Sequence, residues 1–249
     1  MSNTLQNYFS IDGQASTTWG IWINGDGRWS GAEPDVETVA VPGRNGELIL
    51  SNNRWHNTEV YYRCFIPRQF KDNYDSFRAV LLNKAGYFRL EDTYRPNEYR
   101  MARVSGGLNI STIEWVNDTG TFTVRFNCKP QRYLKSGEQY RTITNGGTLE
   151  NPTLYDALPI IRTKGYGTMT VTNGTYSCAY TIAQNSLTYY LHVSSEEEDC
   201  YADSHAHANR NSYLTLNNKT FPVLKPGTST LTFSNTFTEV DVIPGWWTL

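Results

Sequence analysis

The sequence predicts a mostly β protein of two domains, with a single α-helix in the first. Three observations carry this. Val, Ile, Thr and aromatic residues crowd into short runs, and such side chains suit a pleated, half-buried surface. The runs are separated by Asn-Gly, Asp-Gly and Pro-Gly pairs, which supply the dihedral angles that turns need. Aromatic residues make up 14% of the chain, with 17 Tyr and 7 Trp, against only 18% charged. That balance is the reverse of a disordered chain's.

In chain order, residues 19–23 (Trp-Gly-Ile-Trp-Ile) read as a short apolar strand ended by Asn24-Gly25-Asp26-Gly27. Residues 36–41 alternate apolar and polar, as a strand with one buried face does. They run into Pro42-Gly43-Arg44-Asn45-Gly46, two turn signals in succession, before Leu48-Ile49-Leu50 resumes. The expected product is a hairpin with a protruding tip. Residues 59–66 give another strand, stopped by Pro67. The period then changes. Phe70, Tyr74, Phe77 and Leu81 fall on one helical face, Pro67 precedes the first turn and Gly86 follows the last. This spacing predicts an amphipathic helix over about residues 69–84, its aromatic face packed on a sheet.

Strand signals return at 87–90, 99–104, 111–115 and 121–128. In the last, Phe122, Val124 and Phe126 face one way while Thr121, Thr123 and Arg125 face the other. Residues 129–140 turn polar, with Gly137 as a hinge, and the domain boundary is placed between 135 and 136. Residues 136–249 hold further short strands at 142–148, 159–163, 167–171, 177–182, 187–193, 213–216, 229–233 and 239–243. Even spacing with Gly and Asn turns suggests a sandwich. Charge also shifts near the middle: residues 1–137 hold 16 Lys+Arg against 14 Asp+Glu, and residues 138–249 hold 6 against 10. The total of -2 gives no global field toward nucleic acid or an acidic membrane surface.

Cys64, Cys128, Cys178 and Cys200 show no close pairing, and buried free thiols of a reducing cytoplasm are the expected state. The first ten residues do not read as a signal peptide, and no apolar run approaches the length that spans a bilayer, so no membrane insertion is expected. The Asn-x-Ser/Thr triplets at Asn109, Asn117, Asn173 and Asn218 then read as chance matches. Glu196-Glu197-Glu198-Asp199-Cys200 with His205 and His207 holds metal-ligand types, but Cys200 lacks a partner at structural-site spacing. A solvated polar loop is the plainer reading. No nucleophile motif, no glycine-rich loop opening a helix and no readable carboxylate pair points to catalysis. The chain is not read as an enzyme, and no cofactor, metal site or catalytic residue is assigned. Trp246-Trp247 resembles a sugar platform, yet adjacent strand residues point to opposite faces, so packing is the expectation for the pair.

Several stretches together resemble the distal tail protein (Dit) family of long-tailed, non-contractile bacteriophages. In the first domain these are Val41-Pro42-Gly43-Arg44-Asn45-Gly46-Glu47-Leu48, then Gly86-Tyr87-Phe88-Arg89-Leu90 and Asp92-Thr93, then Tyr99-Arg100-Met101-Ala102 and Phe126-Asn127-Cys128-Lys129-Pro130. In the second they are Asn151-Pro152, Ala157-Leu158-Pro159-Ile160-Ile161, Gly165-Tyr166-Gly167, the run from Phe221 to Gly227, and the closing Pro244-Gly245-Trp246-Trp247. The order and spacing of these pieces, rather than any one of them, carry the resemblance.

The resemblance implies an N-terminal tail-tube-like β-sandwich with one helix and a C-terminal galectin-like β-sandwich. It implies a homohexameric hub at the tail tip of a virion, assembled in the host bacterial cytoplasm. Its implied partners are the tail tube protein, the tail-associated baseplate hub protein and receptor-binding proteins, with DNA passing through a channel without being read. Long insertions that some members carry are missing here, which suggests a plain hub. The hairpin tip, Pro42, Gly43, Arg44, Asn45 and Gly46, is the expected subunit or tube contact. Tyr61, Tyr62, Arg63, Tyr94, Arg95 and Tyr99 are further residues of interface type, although taken singly each reads more plainly as an ordinary surface or core residue of a β-sandwich. The competing reading is a stand-alone glycan-binding module using the second domain.

Overall fold

The computed structural model describes residues 7–24, 28–29, 31–184, 189–202 and 208–249, with the side chains of 28 and 29 left aside. The chain forms two compact units, residues 1–132 with Leu249 and residues 133–248. Each has its own apolar core.

The first unit contains β1 (Phe9–Ile11), β2 (Gln14–Ala15), β3 (Trp22–Ile23), β4 (Arg28–Trp29), β5 (Pro34–Ala40), β6 (Glu47–Trp55), β7 (Thr58–Ile66), α1 (Phe70–Leu82), β8 (Phe88–Asp92), β9 (Glu98–Val104), β10 (Asn109–Glu114) and most of β11 (Thr119–Leu134). The main sheet runs β2-β1-β8-β9-β11-β7-β3, with β10 also on β11 and β4 also on β7. β1 and β7 are four strand steps apart, about 19 Å in a flat sheet. Yet the Phe9 and Tyr62 rings stack with centroids 5.3 Å apart, and both rings meet Phe126 edge-on. The sheet therefore doubles over and closes on its own aromatic face.

Helix α1 covers this core with the face that the spacing predicts: Phe70, Tyr74, Phe77 and Leu81 are its buried residues. Phe77 meets Trp19 and Phe9, while Phe70 and Tyr74 meet Phe122. The helix can lie this close because β11 has no side chain at Gly120, where an added Cβ would stand 2.5 Å from the Phe70 ring. Residues 19–23 differ from the single strand expected. A 3-10 turn, Ser16–Trp19, ends at Gly20 with φ 61°, and only Trp22–Ile23 is strand. Buried Ser16 donates its hydroxyl to the Ile21 carbonyl at 2.9 Å, which holds the bend. The Asn24–Gly27 turn lies partly outside the described residues.

The second unit holds β12 (Arg141–Thr142), β13 (Gly147–Asn151), β14 (Ile160–Lys164), β15 (Gly167–Asn173), β16 (Tyr176–Ile182), β17 (Leu191–Ser194), β18 (Asp199–Ala202), β19 (Ala208–Asn209), β20 (Leu214–Leu216), β21 (Gly227–Phe233), β22 (Glu239–Ile243) and β23 (Trp247–Thr248). Eleven of these, all but β23, form a six-stranded sheet, β12-β22-β14-β17-β18-β19, and a five-stranded sheet, β13-β21-β15-β16-β20. Ile161, Val193 and Val242 from one meet Val171, Tyr180 and Leu231 from the other in a single core, as a sandwich requires.

The motif pieces of this unit converge in space. Buried Asn151 donates to the Tyr155 and Leu224 carbonyls at 2.8 and 2.9 Å, and its oxygen accepts from the Thr153 N–H at 3.0 Å. Ala157 and Leu224 bridge through two backbone hydrogen bonds of 3.0 and 2.9 Å. Gly137, read as a hinge, is instead a packing position: an added Cβ would lie 2.4 Å from the Trp246 nitrogen.

All four cysteines are buried free thiols. Burial pushes Cys128 and Cys200 up to about 12 and raises Cys64 further. Thiolate is the reactive form, so native protein at pH 8 is expected to leave a disulfide reagent such as Ellman's unspent, while denatured protein releases four equivalents. Fast labelling of any native thiol would contradict this burial.

Candidate functional site

The least expected part of the first unit is the hairpin formed by β5 and β6. Among the described residues these strands pair only with each other, with Glu37 opposite Leu50, Thr38 opposite Ile49 and Val39 opposite Leu48. Directly opposed residues share a face, and successive residues alternate. One face therefore presents Val36, Thr38, Ala40 and Ile49, and the other presents Val39, Leu48 and Leu50 beside Glu37. Neither is covered: Ile49 is 67% exposed and Leu50 53%. The expectation of one buried face was drawn from the alternation of residues 36–41, and within this chain it does not hold. In these strands only Asp35 is buried.

Asp35 latches the base of the arm. Its carboxylate accepts from Asn52 Nδ2 at 3.1 Å and from Arg54 Nε, and the His56 ring lies 3.6 Å away. Hydrogen bonds from Asn52 and Arg54 hold its pKa below the usual carboxylate value. The His56 N–H donates to the Glu33 carbonyl at 2.8 Å and closes the root. At the far end Gly43 and Gly46 take positive φ of 78° and 82°, and the Arg44 N–H donates to the Val41 carbonyl at 3.1 Å. The tip residues Pro42, Gly43, Arg44, Asn45 and Gly46 are all exposed. The Arg44 side chain makes no hydrogen bond or ion pair among the described residues.

A two-stranded hairpin is marginal in water on its own. Exposed apolar faces and open edges mark a surface made to be covered, by side-chain packing or by strand addition. Sequence reasoning located this arm but missed its latch and its two-sided exposure. It also missed a second exposed apolar spot, the β10–β11 turn, where Trp115 is 73% and Val116 93% exposed.

The other residues of interface type divide. Tyr62 is core, with its hydroxyl donating to Asp92 at 2.6 Å. Tyr61 lies under the Arg125 guanidinium at 5.3 Å and Tyr99 under that of Arg89 at 3.8 Å. Arg63 is exposed, and Tyr94 packs against the core. In the second unit Trp246 is 1% exposed, and Trp247 stacks on Tyr155 at 4.6 Å while donating to the Asp156 carbonyl. The pair packs, and no sugar platform stands there. Among the described residues no three His, Cys, Asp or Glu side chains converge on a metal-sized site, and His205 and His207 lie outside those residues.

No family model matches the chain, and no curated protein matches its sequence. Solved structures do. The Dit protein of phage SPP1, described as a paradigm of the hub adsorption apparatus in phages that infect Gram-positive bacteria, superposes with a TM-score of 0.74 at 15% identity, covering 98% of this chain and 100% of that one. A chain of the phage p2 baseplate, in its activated conformation with strontium, gives a TM-score of 0.51 at 10% identity, covering 95% and 97%. The chain thus has a Dit-like fold, the fold implied by the motif resemblance.

Proposed function

We propose that the protein is a structural hub of a phage tail tip, joining the tail tube to the baseplate or receptor-binding apparatus. The observation that carries this is the uncovered hairpin arm, set on a fold shared end to end with the SPP1 Dit protein. A ring needs a heterologous interface, in which one patch meets a different patch on the next subunit. An arm with two apolar faces and open edges suits that role, because it can be clasped by a neighbour while its tip reaches the tube. Six copies around a closed axis would leave a channel for DNA, and the protein would sit in the virion with tail proteins as partners. Its work in this reading is positional, with no cofactor and no chemical step.

Light scattering of the purified protein tests the reading. Six chains of 28.4 kDa give roughly 170 kDa, or twice that for two stacked rings. A single-chain mass at high concentration, unchanged by added tail tube protein, would remove the ring while leaving the fold in place.

A further inference from the structure

Two of the motif stretches, residues 157–161 and 221–227, have no task in the arm, and the fold brings them together in the second unit. Leu158 from the first, Phe221 and Val223 from the second, and Leu216 form the apolar walls of a cleft of about 310 Å³. That volume lies at the small end of ligand pockets, about 300–1,000 Å³. The walls are held in place. Residues 217–226, between β20 and β21, hold no strand or helix, yet β16 and the β17–β18 turn pin them. Asn218 donates to the Ser177 carbonyl at 3.2 Å and accepts from the Ala179 N–H at 3.3 Å. The Cys178 thiol donates to the Thr220 carbonyl at 3.4 Å, and the Val223 N–H donates to the Tyr176 hydroxyl at 2.9 Å. Ser195, which also lines the cleft, ties the two stretches together: its hydroxyl donates to the Pro222 carbonyl at 2.7 Å and its N–H to the Pro159 carbonyl at 3.0 Å.

The rim carries one carboxylate and one ammonium, Glu198 on the β17–β18 turn and Lys219 after β20. Both are exposed, and neither side chain makes a hydrogen bond or ion pair among the described residues. Both residues take left-handed φ, 51° and 60°. Glycine adopts that region freely, whereas a residue with a Cβ is strained there. A turn alone would be better served by glycine at both positions, so the charged side chains are what these residues contribute.

One charge of each sign above apolar walls is complementary to a peptide that seats an apolar side chain and carries a base for Glu198 and an acid for Lys219. The exposed Trp115–Val116 turn of this chain does not fit, because its flanking charges, Glu114 and Asp118, are both acids and leave Glu198 unmet. We propose that the cleft docks a segment of a partner protein, an apolar residue flanked by one basic and one acidic residue. Every residue involved belongs to the second unit, so the site is independent of ring closure.

The probe is the capped tripeptide acetyl-Lys-Phe-Glu-amide, titrated into the full chain and followed by the resonance shifts of the Leu158, Phe221 and Val223 amides. Each rim charge is worth up to about fivefold in affinity, so the Lys-Phe-Lys and Glu-Phe-Glu peptides should bind roughly fivefold more weakly. Charge reversal should move the preference: Lys219→Glu should favour Lys-Phe-Lys, and Glu198→Lys should favour Glu-Phe-Glu. Lys219→Gly should weaken the mixed peptide while melting no lower than wild type, since glycine relieves the left-handed strain. That pairing separates lost docking from lost folding. A wild-type chain that shows no shifts at the cleft, or a preference unmoved by either reversal, overturns the site. A mixed peptide that lowers the scattering mass would show the cleft filled by another copy and overturn the partner assignment.

Discussion

Replacing Val39, Leu48 and Leu50 together by Ser is expected to reduce the scattering mass of the protein from that of the proposed ring to the single 28.4 kDa chain. All three side chains lie on one face of the arm and are exposed within the chain. Each is already about half buried within the chain, so full cover by a neighbour contributes roughly 0.7–1.5 kcal/mol apiece. Losing all three weakens each contact by roughly 2–4.5 kcal/mol, about one and a half to three orders of magnitude in affinity. The isolated fold should hardly notice, because exposed side chains seldom move stability by more than about 0.5 kcal/mol. The diagnostic result is a lost assembly with an unchanged urea midpoint. A triple variant that still forms the wild-type ring would exclude this face and direct attention to Trp115 and Val116.

Phe126→Ala should have the opposite signature. Phe126 is fully buried, and its ring meets Phe9, Tyr62 and Phe88 from three strands of the doubled-over sheet. Truncating such a residue costs about 3–5 kcal/mol, lost transfer energy plus the cavity left behind. In urea, with a slope near 2 kcal/mol per molar, the transition of the first unit should move down by roughly 2 M. Phe126→Leu should cost less than half as much, since it keeps most of the volume. A shift below about 1 kcal/mol for the alanine variant would mean that this aromatic junction does not close the sheet.

The contrast between these two variants reflects what sequence can and cannot express. The helix was legible because Phe70, Tyr74, Phe77 and Leu81 satisfy a helical period and bury against their own chain. β11 was legible because Phe122, Val124 and Phe126 keep strict alternation. β5 shows the same kind of alternation, yet it stands uncovered. Burial by a neighbour leaves the same imprint on composition as burial by a core, so periodicity alone cannot assign the cover. Tyr62 went the other way: it is of a residue type enriched at interfaces, yet it is buried and Asp92 satisfies its hydroxyl from within. The Asp35 latch depends on the register of one hairpin, which sets Asn52 and Arg54 against Asp35 across 17 and 19 residues. No local pattern announces it.

The pairing of β1 with β8 and of β7 with β11 also constrains synthesis. Ile11 sits opposite Leu90, and Thr58 opposite Cys128. A growing chain can pair β1 with β2 at once but must leave the other edge of β1 open until Leu90 has emerged, and it cannot satisfy the inner edge of β7 until Cys128 follows. Such long-range closure is slow, because loop entropy is lost before contacts compensate for it. The arm, by contrast, closes over a short loop and can form early. On the ribosome, the surface that we assign to partners would be complete before the domain that carries it. A nascent chain stalled with only residues up to 113 exposed should accordingly remain sensitive to protease throughout its first domain, and one stalled with β11 fully exposed should not.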